Sequence, residues 1–271
     1  MTAIRDPRML RDILSFYADA GADEALEEEA RDHLSRPQSE DPLERAAPAP
    51  APRRAAEPAP PRPAPPAAVP DEAQAARARA LAREAGSIEE LKAILADFDG
   101  CNLKHTAKNL VFADGNPEAE LMLVGEAPGR EEDLQGLPFV GRSGKLLDRM
   151  LAAIGRDRSS AYISNVIPWR PPGNRDPSPL ETEICRPFIE RHIELVRPRV
   201  LVTLGNPSTK LLLNTREGIM RLRGTWAVHT TAGGQQIPTM PTLHPAYLLR
   251  NPAHKKLAWR DFLAIRIKLE E

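Results

Sequence analysis

The stretch LMLVGEAPGREEDLQGLPFVGRSGKLLDRMLAAIGRDRSSAYISNVI, Leu121 to Ile167, decides the fold. It opens on an apolar run, Leu121 to Val124, short enough for a strand buried on both faces. Ser143 to Ile154 reads as a helix and Tyr162 to Ile167 as a second strand. A strand, a helix and a strand in that order imply parallel pairing. The alternation continues through a helix at Leu180 to Val196, a strand at Val200 to Leu204 and a short helix at Pro207 to Leu213. Further strands are expected at Thr225 to His229 and Ile237 to Leu243, with a closing amphipathic helix at Ala253 to Leu269. Upstream, Gln74 to Ala85 and Ile88 to Phe98 read as helices that lead into Cys101 and a loop from Lys104 to Gly115. The expected architecture is a three-layer α/β/α sandwich with a mainly parallel central sheet. Open sheets of this kind bind ligands outside the carboxyl ends of their strands. GEAPG at Gly125 to Gly129, PFVG at Pro138 to Gly141 and LHPAYLL at Leu243 to Leu249 each lie after or near a predicted strand, so their side chains are expected to share one pocket.

The chain has 271 residues, of which 41% are hydrophobic, enough for one well-buried domain and additional segments. No apolar run approaches the roughly 20 residues that span a bilayer, and acids and arginines stand where a signal peptide has its apolar core. A soluble, cytoplasmic protein with no membrane contact is expected. Two cysteines, Cys101 and Cys185, are too few for a disulfide framework or a four-thiolate metal site, and both are expected to be reduced thiols. The net charge of −1 divides unevenly: residues 1–72 carry 9 basic and 15 acidic groups, and residues 73–271 carry 28 and 23. A mildly basic main domain suits a polyanionic partner without specifying one.

Residues 37–72 hold 12 of the 28 prolines and read as a disordered Pro/Ala-rich linker, which as polyproline II reaches roughly 110 Å. Residues 1–36 read as a helical accessory segment. Met9, Leu10, Ile13, Leu14 and Tyr17 form one apolar helical face, and a second helix runs through Ala25 to Leu34. That face either docks on the main domain or is held for a protein partner. The main domain is expected over residues 73–271.

The order GEAPG, GLPFVGRSGKLLDRM, SNVIPWRPPGNRDPSP and LHPAYLLRNP resembles the motif order of the uracil-DNA glycosylase superfamily, most nearly its family 4 branch, from about Leu103 to the C-terminus. The resemblance implies a monofunctional enzyme of base excision repair that flips deoxyuridine out of DNA and hydrolyses its N-glycosidic bond, releasing uracil and leaving an abasic site. On this likeness Phe139 is the ring on which uracil stacks, Asn165 the carboxamide that pairs with its edge, and His244 the donor to O2. Taken singly, each has a bland alternative: a core ring beside a turn, a strand-end amide, a structural imidazole. Ala127, also expected at the uracil, stands where the best-known branch has a water-positioning aspartate, a departure that family 4 shares. That task then falls to Glu126 or Glu132. Gly129, Arg142, Ser143 and Gly144 are expected at the DNA backbone, together with Arg250. Leu248 matches the wedge that fills the gap left by the flipped base, with a helix-buried leucine as its bland alternative. Arg170, Arg175, Lys255 and Lys256 are weaker candidates for phosphate contacts.

Family 4 enzymes hold a four-iron, four-sulfur cluster on four cysteines. Here Cys101 and Cys185 match two of these positions and Phe98 and Trp169 the other two, so no cluster, no other cofactor and no metal are expected. No basic insertion follows PFVG, unlike the branch that captures DNA covalently, and Lys145 is the lysine nearest the motifs, so turnover without lyase chemistry is expected. The expected partner is uracil-containing DNA, bound by a monomer. The rivals are a non-catalytic or broad-specificity binder of deaminated bases, suggested by Ala127, and an α/β domain that binds a mononucleotide.

Overall fold

A computed structural model describes residues 71–271. The expected accessory segment at 1–36 and nearly all of the expected linker at 37–72 lie outside the described residues. The order is α1 (Asp71–Glu84), α2 (Ile88–Asp97), α3 (Leu103–Thr106), β1 (Ala113–Gly115), β2 (Leu121–Gly125), α4 (Arg130–Gln135), α5 (Arg142–Ala152), β3 (Tyr162–Asn165), α6 (Pro179–Val196), β4 (Val200–Leu204), α7 (Asn206–Leu212), α8 (Ile219–Leu222), β5 (Ala227–Thr230), β6 (Gln236–Thr242), α9 (Pro245–Arg250) and α10 (Lys255–Glu270). Two 3-10 turns, Pro172–Asn174 and Pro252–His254, complete it. α1 therefore opens at Asp71, inside the stretch assigned to the linker, and the loop expected over 104–115 contains most of α3 and all of β1. Among the described residues no helix is long and apolar enough to cross a membrane.

The six strands form one sheet in the order β1-β3-β2-β4-β6-β5. The four central strands are parallel, and β1 and β5 are antiparallel edges. β2 and β4 are buried along their whole length, which is why they read as continuous apolar runs. Their alternating side chains divide the core into two layers. Met122, Val124, Tyr162 and Leu201 pack with α1, α2 and α6 through Leu91, Leu95, Phe188 and Ile193. Leu121, Leu123, Ile163 and Val202 pack with α5 and α10 through Leu147, Leu151, Phe262 and Ile265. Each such side chain contributes about 1.5–3 kcal/mol on burial. The result is the three-layer α/β/α sandwich expected from the sequence, and it brings the ends of β2, β3, β4 and β6 side by side.

Candidate active site at the carboxyl ends of the parallel strands

Gly125 ends β2 directly beside Asn165, the last residue of β3. A methyl group on Gly125 would stand 2.4 Å from Asn165 Oδ1 and 2.6 Å from Phe139 Cζ, so the amide and the ring converge over the space this glycine leaves open. From the other side, Gly205 follows β4 with φ +92°, and a methyl there would stand 3.1 Å from His244 Cβ. The rings of Phe139 and His244 lie 5.5 Å apart between centroids. Phe139, Asn165 and His244 therefore face one cleft of about 630 Å³, whose walls also include Glu126, Ala127, Gly129 and Ser143, with Arg250 at the rim.

The polar groups differ in how far the protein already uses them. Asn165 is 5% exposed and stands on the cleft wall, and its side-chain amide is not one of the fully buried polar groups left without a partner among the described residues. It presents one donor and one acceptor toward the cleft. His244 caps α9: the Ala246 N–H donates to its Nδ1 at 3.1 Å, which leaves the proton on Nε2. Desolvation, reinforced by the Arg250 charge and opposed by Glu132, lowers its pKa to about 4. The ring is a neutral donor at physiological pH.

The two acids separate clearly. Glu132 is buried; its Oε2 accepts from the Gly129 N–H at 3.1 Å, and its Oε1 from the N–H groups of Val140 and Gly141 at 3.1 and 2.9 Å. Oε1 thus fixes the loop that carries Phe139, and Oε2 caps the start of α4. Glu126 makes no side-chain hydrogen bond among the described residues and lines the cleft, and burial, followed by repulsion from the Asp176 carboxylate, raises its pKa.

At the first turn of α5, Arg142 is exposed, Ser143 lines the cleft, and Gly144 is buried beneath the Phe139 carbonyl, where a methyl would stand only 1.7 Å from the oxygen. Leu248 does not fit the wedge role. It is 1% exposed and packs with Ile219, Leu243 and Ala258, because the α9 helix turns it inward rather than toward the rim. Met220, 51% exposed, stands at the rim instead; nothing in the motifs singled it out. Arg175 is held by both oxygens of Glu181, and Arg170 by Asn174, while Lys255 and Lys256 are exposed at the start of α10. Asp176, on the cleft wall beside Glu126, was not singled out by the sequence either.

A second cluster lies away from the cleft. Cys101 and Cys185, both fully buried, approach to 4.0 Å between sulfurs. Phe98 and Trp169 are buried in the same core, and Phe98 meets Phe188 edge to face at 5.0 Å. Four thiolates are needed for a four-iron, four-sulfur cluster and this core offers two, so its residues do not fit one. Among the described residues no group of three or more His, Cys, Asp or Glu side chains is placed to hold a metal ion.

Residues 112–263, which contain all six strands of the sheet, match the sequence profile of the Uracil DNA glycosylase superfamily. The chain belongs to that superfamily. It is 40% identical over 185 residues to the type-4 uracil-DNA glycosylase of Sulfurisphaera tokodaii, covering 66% of this chain and 84% of the relative. It is 42% identical over 174 residues to that of Saccharolobus solfataricus, covering 61% and 79%. With the Archaeoglobus fulgidus protein of the same name it shares 39% over 183 residues, covering 66% and 92%. As a superfamily member, the chain carries its cleft inside the matched region, since Glu126, Phe139, Asn165 and His244 all lie between residues 112 and 263.

Proposed function

We propose that this protein is a monofunctional uracil-DNA glycosylase that extrudes deoxyuridine from DNA, cleaves its N-glycosidic bond and leaves an abasic site. The observation that carries the reading is the convergence of Phe139, Asn165 and His244 on one cleft over Gly125. Relatives named type-4 uracil-DNA glycosylase support the activity. The extruded base stacks on Phe139, an interaction worth about 1–3 kcal/mol. The Asn165 amide donates to O4 and accepts from N3–H, whereas cytosine presents a donor and an acceptor in the opposite places and is rejected. As the bond between C1′ and N1 breaks, its electron pair passes to the base, and the charge that develops on O2 meets the Nε2–H of neutral His244. Water then adds to the electron-poor C1′, and its proton passes to the Glu126 carboxylate. Glu126 is the better candidate for this task because both oxygens of Glu132 are already occupied. The free N–H groups at the start of α5, together with Arg142, Ser143 and Arg250, take the flanking phosphates.

The protein works without an iron–sulfur cluster in this reading. Phe98 and Trp169 fill the corresponding volume with packing, and the two thiols leave such a cluster two ligands short. Release of free uracil from labelled oligonucleotides, alongside thymine, hypoxanthine and xanthine controls and an iron assay on the same sample, tests both statements. Loss of nearly all excision in Asn165→Ala and His244→Ala, with the fold retained, is expected; unchanged excision would defeat the site assignment. Ala127, which carries no carboxylate, favours a second reading as a silent reader of damaged DNA. DNA binding without any uracil release would establish that alternative.

A further inference from the structure

Phe139 has φ +54°, the left-handed region that a bulky side chain seldom occupies and that costs about 1–3 kcal/mol. Something must hold it there. The Glu132 carboxylate fixes the N–H groups that follow Phe139. The carbonyls on the other side are fixed by Arg158, from the turn between α5 and β3. Its Nη1 donates to Pro138 O at 3.1 Å and its Nη2 to Phe139 O at 2.5 Å. The guanidinium is itself oriented by two carboxylates, Asp114 on β1 through Nη1 at 2.5 Å and Asp148 on α5 through Nε at 2.9 Å. Three nitrogens thus serve two carbonyls and two acids at once, which the planar fork of arginine permits and a single ammonium does not. The close packing of Phe139 O on Gly144 leaves this peptide little room to rotate.

We propose that Arg158 is a positioning residue: by clamping the Pro138 and Phe139 carbonyls it holds the Phe139 ring in place as a preformed floor before the base arrives, and so sets affinity for the extruded base. The proposal rests on reading Phe139 as the surface on which the base stacks. Arg158 touches no substrate, and it ties the edge strand β1 to the pocket through Asp114. Without the clamp, the loop must be ordered at each binding event, and that cost falls on KM and on inhibition by free uracil more than on kcat.

The test compares wild type with Arg158→Lys, which keeps the charge, and with Asp148→Asn, which loosens the guanidinium while leaving Arg158 in place. Three quantities are read: KM and kcat on a uracil oligonucleotide, inhibition by free uracil, and hydrogen exchange of the segment Pro138 to Gly141. For Arg158→Lys the expected result is a rise of about tenfold in KM and in the uracil inhibition constant, a smaller change in kcat, and faster exchange of the segment. Asp148→Asn should show the same pattern more weakly. Wild-type KM with wild-type exchange in Arg158→Lys overturns the proposal, as does a lowered melting temperature with unchanged kinetics. If wild type itself releases no uracil, the glycosylase reading fails and exchange alone judges the clamp: faster exchange sustains it, and unchanged exchange overturns it.

Discussion

His244 and Glu126 are perturbed in ways that predict how excision depends on pH. The imidazole, lowered to about 4, is neutral throughout the physiological range, so no limb near the ordinary histidine value should come from it. Glu126 accepts a proton only as the carboxylate, and its pKa is raised by burial and by Asp176. Excision should therefore fall as pH drops through that raised value, above the ordinary glutamate range, and Glu126→Gln should abolish this acidic limb while lowering the plateau. A rate profile of the two proteins checks it, and an identical limb in both would assign the titration elsewhere. Leu248 supports a different kind of prediction. Because it is buried with Ile219, Leu243 and Ala258, Leu248→Ala should cost about 2–5 kcal/mol of stability, measured by urea unfolding. A wedge at the protein surface would instead lose double-strand excision with no change in stability.

At the scale of elements, the first turn of α5 and the Phe139 loop form one unit, and Gly144 is where they touch. Gly144→Ala sets a methyl 1.7 Å from the Phe139 carbonyl, so either the loop or the helix must move. Overpacking of this kind costs about 1–3 kcal/mol, and uracil release should fall with it; a variant that melts and reacts like wild type would mean the two elements are not coupled. The same elements show what was legible beforehand. β2 and β4 were readable because strands buried on both faces leave continuous apolar runs, and α6 because eighteen residues carry the helical period. β1 was not, since Ala113, Asp114 and Gly115 have no strand character of their own and are extended by pairing with β3. α4 and α9 have six residues each, too few for a periodic signal, and depend on their caps, Glu132 folded back on Gly129 and His244 ahead of Pro245. The convergence of Phe139, Asn165 and His244 on one cleft was legible because each belongs to a motif at or near a strand end. The commitment of Glu132 and the bonds of Arg158 were not, and for Leu248 the choice between a wedge and a helix-buried side chain was not, because each is decided by partners that the local sequence does not name.

Across the whole molecule, two desolvated histidines, one in the core and one on the cleft wall, shape how stability responds to acid. His192 lies in the core between the sheet and α6, stacked on Phe112 at 4.4 Å and hydrogen-bonded through Nε2 to the Tyr162 hydroxyl at 3.0 Å. Desolvation lowers its pKa to about 3, and that of His244 falls to about 4. An unfolded chain titrates both near 6.5. Above that value both are neutral folded or unfolded and contribute no pH dependence. Below it the unfolded chain takes up protons that the folded one refuses, so stability falls with decreasing pH by about 1.4 kcal/mol per unit for each histidine. The loss runs from about 6.5 down to about 4 for His244 and about 3 for His192. Glu126 acts in the opposite sense, because a carboxyl raised by burial takes its proton in the folded state first. Urea unfolding at about pH 7.5 and about pH 5.5 should therefore show the wild type weaker at the lower pH, by roughly 1–3 kcal/mol. His192→Gln, which retains an acceptor for Tyr162, should be weaker than wild type at the higher pH and should lose about half of the difference between the two conditions. Equal wild-type stability at both values would mean that these imidazoles reach solvent, and the neutral donor required at His244 would lose its physical basis.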